Sequence, residues 1–283
     1  MSGLPDPIDP RFAVAIVSFV DILGFRAMLE TRPAHDMLRV LRLLQWTAEA
    51  DPNDTEPTAH VRVFSGSVIR VARRDEAGSL FSEVNALRLA QMEMAAQGVF
   101  LRGGITFGEA YWDESAVFGP GVVDACEISR NFAAVPRIAI APTVLRSILK
   151  GVTRKGSQNQ ELAYLRTMIA RADDGVWFID YLRNAEREMD GPDMHRDLLK
   201  GHKGAILGLS SAVERTGHLS SLAMKAGWLA RYHNEAIRTL SDSCLAGMGP
   251  DRDSLSINVD ELPGLVDLPE PEGPLTTNSS AVI

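Results

Sequence analysis

The sequence predicts an α+β fold: a sheet of split-βαβ type carrying its helices on one face, followed by a mainly helical extension. Three observations support this. An apolar run at residues 12–20, rich in Val, Ile, Phe and Ala and broken only by Ser18, reads as a strand buried on both faces. Apolar spacing then alternates between strand and helix periods in the order β, α, β, β, α, β, hairpin, α, β, as a split βαβ arrangement requires. From residue 162 to residue 240 the spacing is mainly helical, with one β-like run, "GVWFIDYL".

Asp21 ends the first strand, and Gly24 and Phe25 open a helix. After the break at Pro33, "AHDMLRVLRLLQWTAEA" repeats apolar residues at helical spacing, and "DPNDTEPT" is a loop. "HVRVF" and "SVIRVAR" are two strands joined by a Ser-Gly turn. "LFSEVNALRLAQMEMAAQG" is a helix with a Gly stop, and "VFLRGGITFGEAYW" a strand with a hairpin. A helix starts near Pro120, "RIAIA" is a strand, and "HKGAILGLSSAVERTGHLSSLAMKAGWLARYHNEAIRTL" forms two helices. The expected organisation is a domain over residues 10–150, a helical extension over 151–248 packed on it, and a disordered tail over 249–283, where Pro, Asp, Glu and Ser prevail.

At 283 residues, 45% of them hydrophobic, the chain is long enough to bury a sizeable core. Its formal net charge of −8 argues against duplex nucleic acid, which demands a basic face to displace counterions. Two cysteines, Cys126 and Cys244, are too few for a disulfide framework and lack zinc-site spacing, so the cytoplasm is the expected compartment. The first ten residues carry no apolar h-region. The run at 12–20 falls well short of the roughly 20 residues a membrane span needs, so no membrane partner is expected.

The chemistry gathers at the end of the first strand. A carboxylate there, immediately before a helix, sits beside free backbone N–H groups and the positive end of the helix dipole. Asp21 therefore reads either as a helix cap or as a ligand for a divalent cation, with the N–H groups around Ile22, Gly24 and Phe25 cradling phosphates. Arg102, before Gly103 and Gly104, either reaches a base or phosphate or is a salt-bridged arginine. "KAGWLARYHN" sets Lys225, Trp228, Leu229 and Tyr232 on one helical face; core packing is the first reading, nucleotide or partner contact through Lys225, His233 and Asn234 the second. "GGITFGE" lacks the Gly-Lys-Ser/Thr ending of a phosphate-binding P-loop, and the histidines show no HExxH pattern.

"VDILGF", "VFSGSVIRV", "FLRGGITFGEAYW", "FGPGVVDACEISRNFAAVPRIAI", "DDGVWFIDYL" and "KAGWLARYHN" occur in this order over residues 12–234. Together they resemble the class III nucleotidyl cyclases, and more narrowly the pyrimidine cyclases of bacterial Pycsar antiphage systems. The resemblance implies a class III cyclase-like, ferredoxin-like split βαβ sheet with helices. It implies that UTP or CTP is cyclised to cUMP or cCMP as an antiviral signal, the ribose 3′-hydroxyl attacking the α-phosphorus with release of pyrophosphate. A head-to-tail homodimer with composite sites is the implied assembly.

In that family the strand-end Asp and a second Asp in the neighbouring hairpin hold two Mg²⁺ or Mn²⁺ ions. Paired ions suit this chemistry because they stabilise the entering and the leaving oxygen together. Asp21 matches the first position, with Ile22 beside it. Where the family reads Phe-Ser-Asp-Ser, this chain has Phe64, Ser65, Gly66 and Ser67. Gly66 keeps the turn and supplies no side-chain oxygen, and Asp is expected to fit there with little strain. Ser65 and Ser67 remain candidate nucleotide contacts, and Glu109 and Asp124 are the substitute carboxylates. Arg130 lies on the helix where the family places an Asn and an Arg for the transition state, although Asp124 and Ile128 occupy those registers. Arg137 is expected to be structural. The alternative function is a cyclase-like nucleotide-binding or regulatory protein without turnover.

Overall fold

The computed structural model of the chain describes residues 11–49, 59–150, 158–216 and 221–262. The chain runs β1 (Ala13–Ile22), α1 (Phe25–Thr31), α2 (Ala34–Ala48), β2 (Ala59–Phe64), β3 (Ser67–Arg73), α3 (Ser79–Ala96), β4 (Leu101–Trp112), β5 (Val117–Phe118) and α4 (Pro120–Phe132). There follow β6 (Ile138–Ile140), α5 (Pro142–Lys150), α6 (Gln158–Thr167), β7 (Ile169–Arg171), β8 (Trp177–Ile179), α7 (Pro192–Thr216), α8 (Ser221–Thr239), α9 (Asp242–Met248) and α10 (Arg252–Leu255). The expected tail over residues 263–283 lies outside the described residues.

The strands form one sheet in the order β2-β3-β1-β4-β6-β8-β7, with β5 paired to β4. β1 lies between β3 and β4, antiparallel to both, and β2 pairs antiparallel with β3. This is the ferredoxin-like split βαβ arrangement, made twice over by the helices between β1 and β2 and by α3 between β3 and β4. β7 and β8 extend the same sheet beyond β6, so the sheet itself crosses residue 150.

Helices cover both faces of the sheet, not one. Alternation along β1 sends Ile16, Val20 and Ile22 into a core with Leu44 of α2, Val84 and Leu87 of α3, and Ile148 of α5. Ala15 and Val17 point the other way, against Ala125 and Val122 of α4. What brings α4 so close is glycine. A β-carbon at Gly108 would stand 2.4 Å from the Cα of Gly121, and one at Gly104 would stand 2.6 Å from the carbonyl oxygen of Ala125. Gly104 and Gly108 are four residues apart on β4 and so share a face, which makes a backbone-wide groove for the helix.

α7 and α8 build a second apolar cluster with the end of α3, joining Met92, Ala95 and Phe100 to Leu198, Ile206 and Leu229. Arg88, 1% exposed, fastens this layer to the sheet: it donates to the carbonyls of Asp180 and Arg183 and pairs with Glu188 at 2.7 Å. Arg70 and Glu83 form a second buried ion pair, between β3 and α3.

Residues 251–262 are ordered, in contrast to the expected tail. Leu255, Ile257 and Leu262 are buried in the extension's clusters. Asn234 both donates to and accepts from the backbone of Ile257, and Lys203 donates to the carbonyls of Ser254 and Ser256. Asn234 and the buried His233, which bonds Leu255, are therefore internal struts and not nucleotide contacts.

Candidate functional site

Pairing across the sheet sets Asp21 at the end of β1 opposite Ser67 of β3 on one side and Arg102 of β4 on the other. These side chains project towards the face that carries α4, since Asp21 shares the parity of Ala15 and Val17. Arg102 clamps Asp21 in a fork: Nε donates to Oδ1 at 2.7 Å and Nη2 to Oδ2 at 3.0 Å. The bond to Asp21 raises the guanidinium's pKa further. Of the two readings of Arg102, the structure places it in the salt bridge.

Lys225 of α8 and Cys126 of α4 flank this pair. Burial and the neighbouring charge of Arg102 hold the Lys225 ammonium below its ordinary pKa, with Asp21 opposing. Burial pushes the Cys126 thiol up, with the charge of Arg130 opposing and the Asp21 carboxylate adding to the rise. Cys126 carries no sequence signal for this position. It reaches the site because the glycine groove draws α4 onto the strand.

The hairpin turn is tight. Ser65 and Gly66 both have positive φ, 44° and 80°, as a two-residue type I′ turn requires. Ser65 is exposed at the turn, and Ser67 sits in register with Asp21. Ile22 N–H donates to the Gly66 carbonyl at 2.9 Å, and Leu23 N–H to the Phe100 carbonyl at 2.8 Å. The N–H of Ile22, expected to help cradle phosphate, is thus already engaged. Gly24 takes φ 71° to start α1, and the Phe25 ring turns back over the hairpin.

That ring overturns the expectation that Asp would fit easily at position 66. A β-carbon on Gly66 would lie 2.7 Å from Cδ2 of Phe25, inside any tolerable contact. The substitute carboxylates do not fill the gap. Glu109 pairs with Val14, seven residues along β4 from Arg102, which is roughly 23 Å at ~3.3 Å per residue. Asp124 is exposed on α4. Arg130, expected as a catalytic group, is exposed in the last turn of α4, and Ile128 packs over Gly104. Arg137 is structural, donating to the Phe132 carbonyl and to Asp174.

The residues present do not fit a pair of divalent ions. Both oxygens of Asp21 are taken by Arg102, and no three His, Cys, Asp or Glu side chains gather into a metal-binding group among the described residues.

Two of the solved structures similar to this chain are the following. One is a bacterial light-regulated adenylyl cyclase, at TM-score 0.35 and 13% identity, the match covering 49% of this chain and 46% of that one. The other is the catalytic core of a rhodopsin-guanylyl cyclase with converted specificity in complex with ATPαS, at TM-score 0.40 and 14% identity, covering 61% of this chain and 98% of that one. Both are cyclases. The match spans less than half the length of the first. No family model matches the chain, and no curated protein matches it. No helix among the described residues is long and apolar enough to cross a membrane.

Proposed function

We propose that the strand-end cluster binds the phosphates of a nucleoside triphosphate, and that the chain is a nucleotidyl-cyclase-type protein whose two-metal turnover is disabled at position 66. The supporting observation is the Asp21–Arg102 fork with Lys225 beside it. Two cations against one carboxylate leave a positive balance in a partly dry site, where an anion is attracted more strongly than in water. A phosphate oxygen arriving between Arg102 and Lys225 would relieve their mutual repulsion and return Lys225 towards its ordinary pKa. Arg102 would exchange one carboxylate acceptor for another oxyanion of matching geometry.

The finer assignment rests on the sequence resemblance: UTP or CTP as the nucleotide, a 3′,5′-cyclic pyrimidine nucleotide as the product of an unimpaired site, and antiphage signalling as its use. One observation favours retained turnover as a second reading. Asp21 is still 18% exposed and in register with the hairpin, so half of the family's carboxylate pair is in position.

Titrating the protein with each of the four ribonucleoside triphosphates in EDTA, then incubating with Mn²⁺ and identifying products by mass, separates the readings. We expect metal-independent binding, tightest for a pyrimidine, and cyclic product formed several orders of magnitude below an ordinary enzymatic rate of about 10 s⁻¹. Product at an ordinary rate would establish the second reading. Absence of binding to all four in EDTA would overturn the first reading, and absence of both binding and product with Mn²⁺ would overturn both.

A further inference from the structure

A cleft of about 380 Å³ opens further along α8, between that helix and the β7–β8 edge of the sheet. Its wall is an aromatic cluster. Trp228 and Tyr232, one helical turn apart, stack at 5.3 Å between ring centroids and 19° between planes. Phe178 meets both edge-on, at 5.6 and 5.7 Å. Tyr232 is pinned: its hydroxyl donates to Asp180 at 2.7 Å and accepts from the Leu182 N–H at 2.9 Å. A wall held this way costs little ordering when a flat ring packs against it.

The charges around the cleft are not equally available. Asp180 is spent on Tyr232 and Arg183, and Glu235 is spent on Arg238, with contacts of 2.7 to 3.3 Å. Arg171 uses only Nε, on the Gly175 carbonyl, which leaves its terminal nitrogens open. Arg231 is exposed and forms no hydrogen bond or ion pair among the described residues. Arg183 likewise engages only Nε, on Asp180, so three guanidinium groups with open terminal nitrogens stand beside an aromatic wall and call for a planar ring bearing an anion. Asp173, also without a partner in the lining, is an acceptor for hydroxyl or amino donors on the same ligand. The volume falls within the range of small-molecule sites and suits one nucleotide-sized guest.

We propose that this cleft is a second ligand site, specific for a small planar aromatic anion of the nucleoside monophosphate or cyclic nucleotide class, with its base against Trp228 and Tyr232 and its phosphate on Arg171 and Arg231. It lies two to three strands from Arg102 in the sheet order and does not depend on the proposed function of the strand-end cluster.

Calorimetric titration of the full chain in EDTA tests it, with uridine and adenosine 5′-monophosphates, 3′,5′-cyclic UMP, indole-3-acetate, ribose 5-phosphate and uridine as probes. Running the series in the Arg102→Gln background keeps the strand-end cluster out of the signal. We expect nucleotides to bind with ribose 5-phosphate and uridine at least roughly tenfold weaker, because each lacks one of the two recognised features. Arg231→Gln, on an exposed and unpartnered side chain, should weaken nucleotide binding roughly tenfold without changing the melting temperature. Equal binding of indole-3-acetate would reassign the site to aromatic carboxylates and overturn the nucleotide assignment. No binding by about 1 mM, or binding untouched by Arg231→Gln, would overturn the site. Loss of the strand-end function alone would leave these titrations unchanged.

Discussion

The ring of Phe25 stands where a side chain at position 66 would begin: Cδ2 is 2.7 Å from the place of a β-carbon on Gly66. The glycine is therefore held by its neighbour as well as by its φ of 80°. We predict that Gly66→Asp alone destabilises the protein by about 1–3 kcal/mol through overpacking and gains no Mn²⁺ affinity. Gly66→Asp with Phe25→Ala should recover Mn²⁺ binding, because the second carboxylate then has room beside Asp21. Thermal melts and calorimetric Mn²⁺ titration of both variants check this; a well-folded single variant that binds Mn²⁺ would refute it.

Asp21 and an incoming phosphate compete for the same guanidinium. Asp21→Asn weakens the fork and removes a negative charge, so triphosphate affinity in EDTA should rise, by roughly tenfold if one charged hydrogen bond is released. Arg102→Gln should lower it by a similar factor. Opposite signs for the two substitutions are the signature. If both lower affinity equally, the cluster is a structural clamp.

His202 and His233 lie in one closed chain of hydrogen bonds. The Leu255 carbonyl can only accept, so His233 Nε2 carries a proton and its Nδ1 accepts from His202 Nδ1, at 3.1 Å. His202 Nε2 then accepts from the Tyr181 hydroxyl at 2.7 Å. Both rings are neutral, and burial holds both pKa values below 6.5, as it does for His60 and His195. The unfolded chain takes up these protons below about 6.5 while the folded chain resists them. Stability should thus be complete above that pH and fall as pH drops through 6 and 5. Melting temperatures across this window test the direction, and His233→Gln should flatten the slope.

Residues 251–262 should be required for stability. Truncation after Gly249 removes the buried Leu255, Ile257 and Leu262 and leaves Asn234 and His233 without their backbone partners. A loss of several kcal/mol follows, from roughly 1.5–3 kcal/mol per buried apolar side chain. Chemical denaturation of the truncated chain measures it. An unchanged midpoint would show that the segment is dispensable.

Phe118, Val123 and Phe132 are exposed on α4 and the strand before it, at 44%, 57% and 50%. Val123 faces away from the buried stripe of Gly121, Ala125 and Ser129, so if the head-to-tail homodimer implied by the resemblance forms through α4, the Val123 side is its seat. Val123→Asp, at a position open to solvent, should then shift sedimentation from dimer to monomer with no change in melting of the protomer. A monomer before substitution would end the dimer reading.

The local features were written in the sequence. Strand alternation, helical spacing, the Ser-Gly turn and the Pro120 helix start each depend on residues a few positions apart, so the element order and the place of Asp21 at a strand end were legible. β7 and β8 have three residues each, too few for a period to show, and only "GVWFIDYL" hinted at the second. The partnerships that define the site belong to tertiary structure. Asp21 meets Arg102 across 81 residues because strand register sets them opposite, and Phe25 blocks position 66 because α1 folds back over the hairpin. α4 reaches Cys126 into the site only because three glycines meet on two different elements. Periodicity reports which face of an element is apolar; which residue that face will meet is decided by packing between elements distant in the chain.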